Sequence, residues 1–292
     1  MTEENHHHQA VADKGFPWLG AGLGVLALVG FIYYQGLRAD KSPQGPEGAA
    51  YLEGESILVE WGDLGRRLIE AGVIDKDKFL NLYARRGTLS DADRALIDGI
   101  SEGELKANQA NASLLLNLFW ALGLGNESPI LEKGEMAQYG DTGNFASTGG
   151  WSLSKGDAMN HYSAHSFVAL DSAEQALVEK VSKGIYRPCC DNSTHFPDCN
   201  HGMAMLGLLQ LLAAQGATED QMFAVALRMN MLWFPDQYRV IARYFETQGQ
   251  DFSRVSPQVV LGKEYSSGSG YRRTASLIPP DAERRSGASC GV

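Results

Sequence analysis

An apolar run near the N-terminus constrains the fold of this chain more than any other feature. Residues 15–37 form a stretch of 23 residues without a charge, and Lys14 and Arg38 flank it. A helix of about 20 apolar residues crosses the hydrocarbon core of a bilayer. Trp18 near one end and Tyr33 near the other fit the aromatic residues that favour membrane interfaces. The run therefore predicts a single transmembrane helix.

A cleaved signal peptide is the alternative interpretation of this run. Signal peptides have a basic start and an apolar region of about 7–15 residues that ends in small residues. Here the first 14 residues are acidic, the apolar run is longer, and it ends beside bulky tyrosines. We therefore predict an uncleaved anchor at residues 15–37, preceded by a disordered N-terminus at residues 1–14.

Two arguments oppose each other on the sidedness of the following domain. Arg38 and Lys41 follow the run whereas only Lys14 precedes it, so the positive-inside rule places the domain in the cytoplasm. A lone N-terminal anchor, however, commonly serves to display a soluble domain outside. We expect a single-pass protein with an extracytoplasmic domain, whose partners are the membrane and a membrane protein complex.

The rest of the chain divides by composition. Residues 38–54 contain two prolines and several glycines and are predicted to be a linker. Residues 55–247 are predicted to form one helical domain, which is long enough to bury a core. Residues 248–292 are polar and predict a disordered tail. The net charge of −10 and the lack of a basic stripe predict no nucleic-acid partner.

Apolar spacing within this domain predicts a mostly α-helical fold. Apolar residues from Ile57 to Ile69 recur at helical spacing, and residues 110–122 form a strongly apolar helix that Gly123 and Gly125 are expected to stop. Residues 126–153 contain five glycines without a helical period and predict a long ordered loop. Further helices are predicted at about His201–Ala214, around Tyr238–Tyr244, and after the capping pairs Ser172–Gln175 and Thr218–Gln221.

Three of the four cysteines are crowded into eleven residues, while Cys290 stands alone near the C-terminus. Disulfide scaffolds spread their cysteines across a fold, so this crowding favours local chemistry. Pro188 and Pro197 exclude a continuous helix here. The segment is predicted to be a rigid loop that delivers thiols to the start of a helix capped by Asn200. The crowded cysteines are Cys189, Cys190 and Cys199.

This residue set is typical of a soft-metal site. Thiolates and imidazoles bind zinc, and thiolates also suit Cu(I) and iron–sulfur clusters. The positive end of the helix dipole would favour the thiolate form of Cys199. We predict that Cys189, Cys190, Cys199 and His201 hold copper or zinc in preference to an iron–sulfur cluster. His195, or the pair His161 and His165, which would share a face if helical, is expected to complete the site.

Other functions remain open at this point. A disulfide between Cys199 and Cys189 or Cys190 would make the protein a structural accessory subunit with a pinned loop. Exchange among the three thiols would make it a redox protein, although the usual Cys-x-x-Cys spacing is missing. The preferred hypothesis is a membrane-anchored metal-binding protein that handles metal or supports a membrane complex, and no enzymatic motif is evident.

Overall fold

The computed structural model describes residues 56–85, 87 and 89–278, and this part is mostly helical. The predicted N-terminus at residues 1–14, anchor at 15–37 and linker at 38–54 lie outside these residues. No helix within the described ranges is both long and apolar enough to cross a bilayer. The many helices of residues 56–278 confirm the predicted mostly α-helical fold class for the described part of the chain.

Twelve helices and two strands make up the described part of the chain. The strands are β1 (Ser56–Gly62) and β2 (Ser101–Lys106). The helices are α1 (Leu64–Glu70), α2 (Lys76–Ala84), α3 (Asp91–Asp98), α4 (Ala112–Gly125), α5 (Pro129–Lys133), α6 (Ser172–Gly184), α7 (Asn200–Ala214), α8 (Glu219–Trp233), α9 (Pro235–Thr247), α10 (Pro257–Leu261), α11 (Lys263–Ser266) and α12 (Gly268–Ser276). Short 3-10 helices lie at Met136–Tyr139, Thr142–Asn144, Ala158–His161 and Phe252–Arg254.

Helix α7 forms the centre of the core. Every residue from Gly202 to Ala213 is buried, which is typical of a helix surrounded by protein on all sides. It packs against α4, α6, α8 and β1. The contact with α4 is a backbone-to-backbone crossing: a Cβ at Gly123 would lie 2.1 Å from the carbonyl oxygen of Met203, and one at Gly207 2.4 Å from that of Phe119. These two glycines therefore fix how closely α7 approaches its neighbour.

The single helix predicted from Ile57 to Ile69 is wrong in its first half. Residues 56–62 form β1, which pairs antiparallel with β2, and only α1 is helical. Ile57, Val59 and Trp61 are fully or almost fully buried, so burial alternates with the period of a strand. The apolar spacing fits both periods, and the pairing with β2, a polar strand that we did not predict, decides between them.

Helix ends agree with the sequence to within a few residues. The capping box at Thr218 and Gln221 is confirmed. The capping box of α6 is formed by Asp171 and Glu174, one residue earlier than predicted. Helix α4 runs through Gly123 and ends at Gly125, the second of the two glycines expected to stop it. Residues 126–153 are largely irregular as predicted, although α5 and two 3-10 helices interrupt the loop.

The prediction of a disordered tail at residues 248–292 is wrong for residues 248–278, and residues 279–292 lie outside the described part of the chain. Helices α10 to α12 lie here and pack against α8 and α9. Val260 and Leu261 are fully buried, and the hydroxyl of Ser266 donates to the carbonyl of Val260 at 2.7 Å. Ser267 caps α12 by accepting from Gly270 N. The small polar residues that suggested disorder therefore serve as caps and buried hydrogen-bond donors.

Candidate metal centre

The cysteines lie on the connection between α6 and α7, which we call the cysteine loop (residues 185–199). Its base is closed by the backbone N–H of Thr194, which donates to Ile185 O at 2.8 Å. Two backbone–backbone bonds tie the loop to the C-terminal helices: Tyr186 N donates to Leu261 O at 2.8 Å, and Gly268 N donates to Cys190 O at 2.8 Å. The prediction of a rigid loop that leads into a helix agrees with these restraints.

The Sγ atoms of Cys189, Cys190 and Cys199 form a compact group, the sulfur triangle. The distance from Cys189 to Cys199 is 3.6 Å, that from Cys189 to Cys190 is 3.9 Å, and that from Cys190 to Cys199 is 4.0 Å. A disulfide requires an S–S distance of about 2.05 Å, and all three cysteines are free. No other group of three or more histidine, cysteine or acidic side chains within the described ranges is close enough to hold a metal.

The edges of the sulfur triangle fit the ligands of one metal ion. A metal–thiolate bond of about 2.3 Å places two sulfurs about 3.8 Å apart around a tetrahedral ion and about 4.0 Å apart around a trigonal ion. The three observed edges, 3.6–4.0 Å, bracket these values. The cysteine cluster is therefore near enough to bind a metal ion.

Arg187 supplies a buried positive charge beside this cluster. Only 1% of the residue is exposed. Its Nε donates to Cys199 Sγ at 3.0 Å, and its Nη2 donates to Asp198 Oδ1 at 2.8 Å. The remaining donors reach the carbonyl oxygens of Asn192 at 2.9 Å and Phe196 at 3.3 Å. A guanidinium can satisfy this many acceptors because its five N–H groups lie in one rigid plane.

Gly202 makes room for the guanidinium. A Cβ at this position would lie 2.4 Å from Arg187 Nη2 and 2.6 Å from its Cζ. Residue 202 also lies in the first turn of α7, where its N–H donates to Cys199 Sγ at 3.4 Å. Cys199 is therefore the N-cap, one residue before the predicted Asn200. The expectation that this sulfur lies at the positive end of the helix dipole is met.

The three thiols share their protons unequally. Hydrogen bonds from Cys189 and Cys190, together with the charge of Arg187, hold the pKa of Cys199 far below its ordinary value. The same contacts with the other two thiols, and burial, raise the pKa of Cys189. For Cys190, the bond from Cys189 lowers the pKa, but the bond to Cys199 and burial outweigh it and raise the pKa to about 11. The metal-free site is thus one thiolate held by two thiols and an arginine.

His201 lies at the inner side of the site. Its ring packs on Phe234 with centroids 4.4 Å apart and on Trp233 at 5.9 Å. The ring is close enough to Cys199 to contribute to the low pKa of that thiol. Its Nδ1 atom is buried and has no hydrogen-bond partner within the described part of the chain. The buried nitrogen without a partner leaves His201 a candidate ligand, but its ring nitrogens do not belong to the compact group of three cysteines.

The other predicted ligands are not brought into this group. The backbone N–H of His195 donates to Ser182 O at 3.1 Å, burial and the charge of Lys183 lower the pKa of its side chain, and it does not belong to the compact group of ligands. His161 and His165 meet each other instead, with Nδ1 and Nε2 3.1 Å apart. They do so without a shared helix face, because the 3-10 helix ends at His161. The prediction that His161 and His165 lie close together is therefore right, but the helix assumed in that prediction is absent.

The histidine pair predicts a pH dependence of folding. Burial and the neighbouring His161 lower the pKa of His165 below its ordinary value of 6.5. The folded protein then binds this proton less readily than the unfolded chain, so stability is full above about pH 6.5 and falls as the pH drops below it. We expect the free energy of unfolding in urea to decrease less between pH 7.5 and 5.5 in His165→Gln than in the wild type. Equal decreases would contradict this assignment.

Sequence reasoning missed Arg187 and Asp198. Both belong to the loop, where Arg187 lies two residues before Cys189 and Asp198 directly precedes Cys199. Opposite charges at the two ends of a thiol-rich loop are a signal that the sequence does contain. They were not singled out, because a charged residue is normally expected at the surface.

The fold and the site together define a mostly α-helical protein with a three-cysteine cluster able to hold a metal ion. Comparison with protein-family models, with curated proteins and with solved structures finds no match to this chain. The function is therefore argued from the cluster itself.

Proposed function

We propose that this protein binds one soft metal ion, Cu(I), through the thiolates of Cys189, Cys190 and Cys199. The observation that carries the proposal is the sulfur triangle, whose edges of 3.6–4.0 Å suit ligands of a single ion. Thiolates select Cu(I), zinc and iron–sulfur clusters among the common biological metals. Cluster ligands are distributed over several iron atoms, and three sulfurs this close together are better suited to one ion.

The number of ligands favours copper over zinc. Zinc in proteins is almost always four-coordinate, and structural zinc sites use four protein ligands. Only three ligand atoms belong to the compact group. Cu(I) is satisfied by three sulfurs. Zinc is the alternative, and it would require His201 to move toward the sulfur triangle and supply the fourth ligand.

The charge of the site supports a bound cation. Three thiolates close together repel one another, and Arg187 offsets one of the three negative charges. A metal ion would offset more and would release the protons that Cys189 and Cys190 hold in the metal-free protein. We infer that metal binding converts a loop held by shared protons into one held by metal–sulfur bonds.

The cellular role that we propose is metal handling at a membrane. It rests on the apolar run at residues 15–37, which would keep the site near the bilayer and near a transporter or other membrane complex. Thiol–disulfide exchange is the second candidate, because the low pKa of Cys199 is typical of a reactive thiol and Cys189 lies 3.6 Å away.

Metal and thiol stoichiometry of the purified full chain tests the proposal. Under reducing, anaerobic conditions we expect one equivalent of Cu(I) per chain. The metal-free chain should show four titratable thiols, since it has four cysteines, and the loaded chain only one. Cys290→Ser is the matched control and should lower both thiol counts by one without changing copper uptake. Absence of copper binding with four free thiols would refute the proposal, and oxidation of two thiols without metal would support the redox candidate.

His201 distinguishes the two metals. His201→Phe keeps an aromatic ring against Trp233 and Phe234 but removes the nitrogen ligand. We expect Cu(I) affinity to stay unchanged, because three sulfurs suffice, and Zn(II) affinity to fall, because zinc loses its fourth ligand. Competition titrations with a Cu(I) chelator and a Zn(II) chelator measure both affinities. A tenfold loss of copper affinity in this variant would place His201 among the copper ligands.

A further inference from the structure

The three cysteines differ in how firmly the protein holds them. Cys199 is the most constrained, since its sulfur accepts from Arg187 Nε at 3.0 Å and from Gly202 N at 3.4 Å. Both donors are themselves fixed, because the guanidinium is buried and Gly202 is a buried residue in the first turn of the central helix. This sulfur cannot leave the site without breaking the helix cap and exposing a buried charge.

Cys190 is held mainly through its backbone. Its carbonyl oxygen accepts from Gly268 N at 2.8 Å, at the start of α12, and its own N–H donates to Arg187 O at 3.3 Å. Its half-buried sulfur lies 3.9 Å from Asp198 Oδ1. Asp191 adds a further restraint next to it by accepting from Ser269 N at 2.6 Å. The second sulfur is therefore positioned by the C-terminal helices.

Cys189 is exposed to solvent, whereas the other two cysteines are half-buried. Its sulfur has hydrogen-bonding contacts with the other two sulfurs, and no further partner is found for it within the described residues. Rotation toward solvent would therefore break only its contacts with these two sulfurs. The site thus consists of two anchored sulfurs and one free to move on the solvent side.

We propose that the metal ion enters and leaves through Cys189, by exchange with an incoming thiolate ligand. This inference rests on the proposed metal-binding function. The bond between the ion and the incoming sulfur forms on the solvent side, and the bond to Cys189 breaks. Where the incoming ligand arrives as a thiol, its proton ends on the Cys189 sulfur. Cys190 and Cys199 hold the ion during this first exchange, and release is complete when further ligands of the acceptor replace both of them and the Cys190 sulfur takes up a proton. No electron is transferred, and the ion keeps its oxidation state throughout.

Kinetics of copper loss from the loaded full chain test this exchange. A chromogenic Cu(I) chelator at fixed concentration reports the loss while glutathione is varied. For the wild type we expect a rate that rises in proportion to glutathione, because the thiol takes part in the rate-limiting step. A rate that responds neither to glutathione nor to a Cys-x-x-Cys peptide would overturn the exchange mechanism, while a chain that takes up no copper would instead refute the proposed function.

Two serine variants separate the roles of the sulfurs. Cys189→Ser should lose at least tenfold in copper retention after desalting, and glutathione should restore it because the added sulfur takes the vacant place. Cys199→Ser should lose retention as well, without restoration, because Arg187 and the first turn of α7 occupy the space around this sulfur and exclude an external thiol. Restoration of both variants or of neither would overturn the assignment of Cys189.

The incoming thiolate could belong to a small molecule or to a protein, and the copper-loss measurement is run with two added thiols to distinguish these sources. One is glutathione, and the other is a peptide with a Cys-x-x-Cys sequence. Acceleration by glutathione supports exchange with a small thiol, and acceleration by the peptide alone supports exchange with a protein cysteine. A copper-loaded chain that responds to neither excludes exchange through Cys189.

Discussion

Replacing Cys199 by serine is expected to abolish metal binding while the fold is retained. Serine keeps the shape of the side chain and is among the preferred N-cap residues, so its oxygen can still accept from Gly202 N, as the sulfur does at 3.4 Å. The oxygen is a poor ligand for a soft ion. Loss of a group that only orients a ligand costs about 10–100-fold in metal affinity, and loss of the ligand itself should exceed that range.

The measurement is a Cu(I) competition titration of the full chain, with circular dichroism as the check on folding. Cys290→Ser provides the same chemical change at the remaining cysteine, outside the described residues, and should bind copper as the wild type does. Equal affinities for wild type and Cys199→Ser would remove the sulfur triangle as the metal site. Loss of helical signal in Cys199→Ser would instead show that the cap needs the thiolate, and Cys189→Ser would then take its place as the test.

The cluster was predictable from the sequence because its ligands are local. Cys189, Cys190 and Cys199 lie within eleven residues, and two prolines leave the connecting backbone few conformations. Proximity in sequence then implies proximity in space. The same reasoning gave the helix entrance at residue 200 to within one position.

Features that depend on distant partners were not predictable in the same way. The strand β1 is defined by its pairing with β2, about 40 residues later in the chain. The C-terminal helices are held by contacts with distant residues, such as the bond from Gly268 N to Cys190 O. No local sequence pattern predicts these contacts. His161 and His165 met as predicted, but through a turn rather than a helix.

Arg187 was missed because burial is unusual for a charged residue. Its position follows from two facts that the sequence shows only separately: Gly202 leaves space for the guanidinium, and Asp198 with the loop carbonyls supplies its acceptors. The arginine links both ends of the cysteine loop. It therefore connects the stability of the loop with the chemistry of the site.

Arg187→Met is expected to destabilise the protein by about 3–5 kcal/mol, the usual cost of removing one partner from a buried ion pair. Methionine fills much of the volume, but it leaves Asp198 Oδ1 and the carbonyls of Asn192 and Phe196 without their donor. The Cys199 thiolate loses its counter-charge as well. Urea unfolding of the metal-free, reduced full chain at pH 7 measures the change in the free energy of unfolding.

Arg239→Met is the matched control for this prediction. Arg239 pairs with Asp236 at 3.0 Å on the surface of α9, where its side chain is 65% exposed, and substitutions at such sites usually stay within about 0.5 kcal/mol. Arg187→Lys retains the charge, but its single ammonium group cannot reach all four acceptors. This variant should therefore recover only part of the lost free energy of unfolding. If Arg187→Met were as stable as Arg239→Met, the guanidinium would not hold the cysteine loop together. The low pKa of Cys199 would then have to come from the other two thiols and the helix dipole alone.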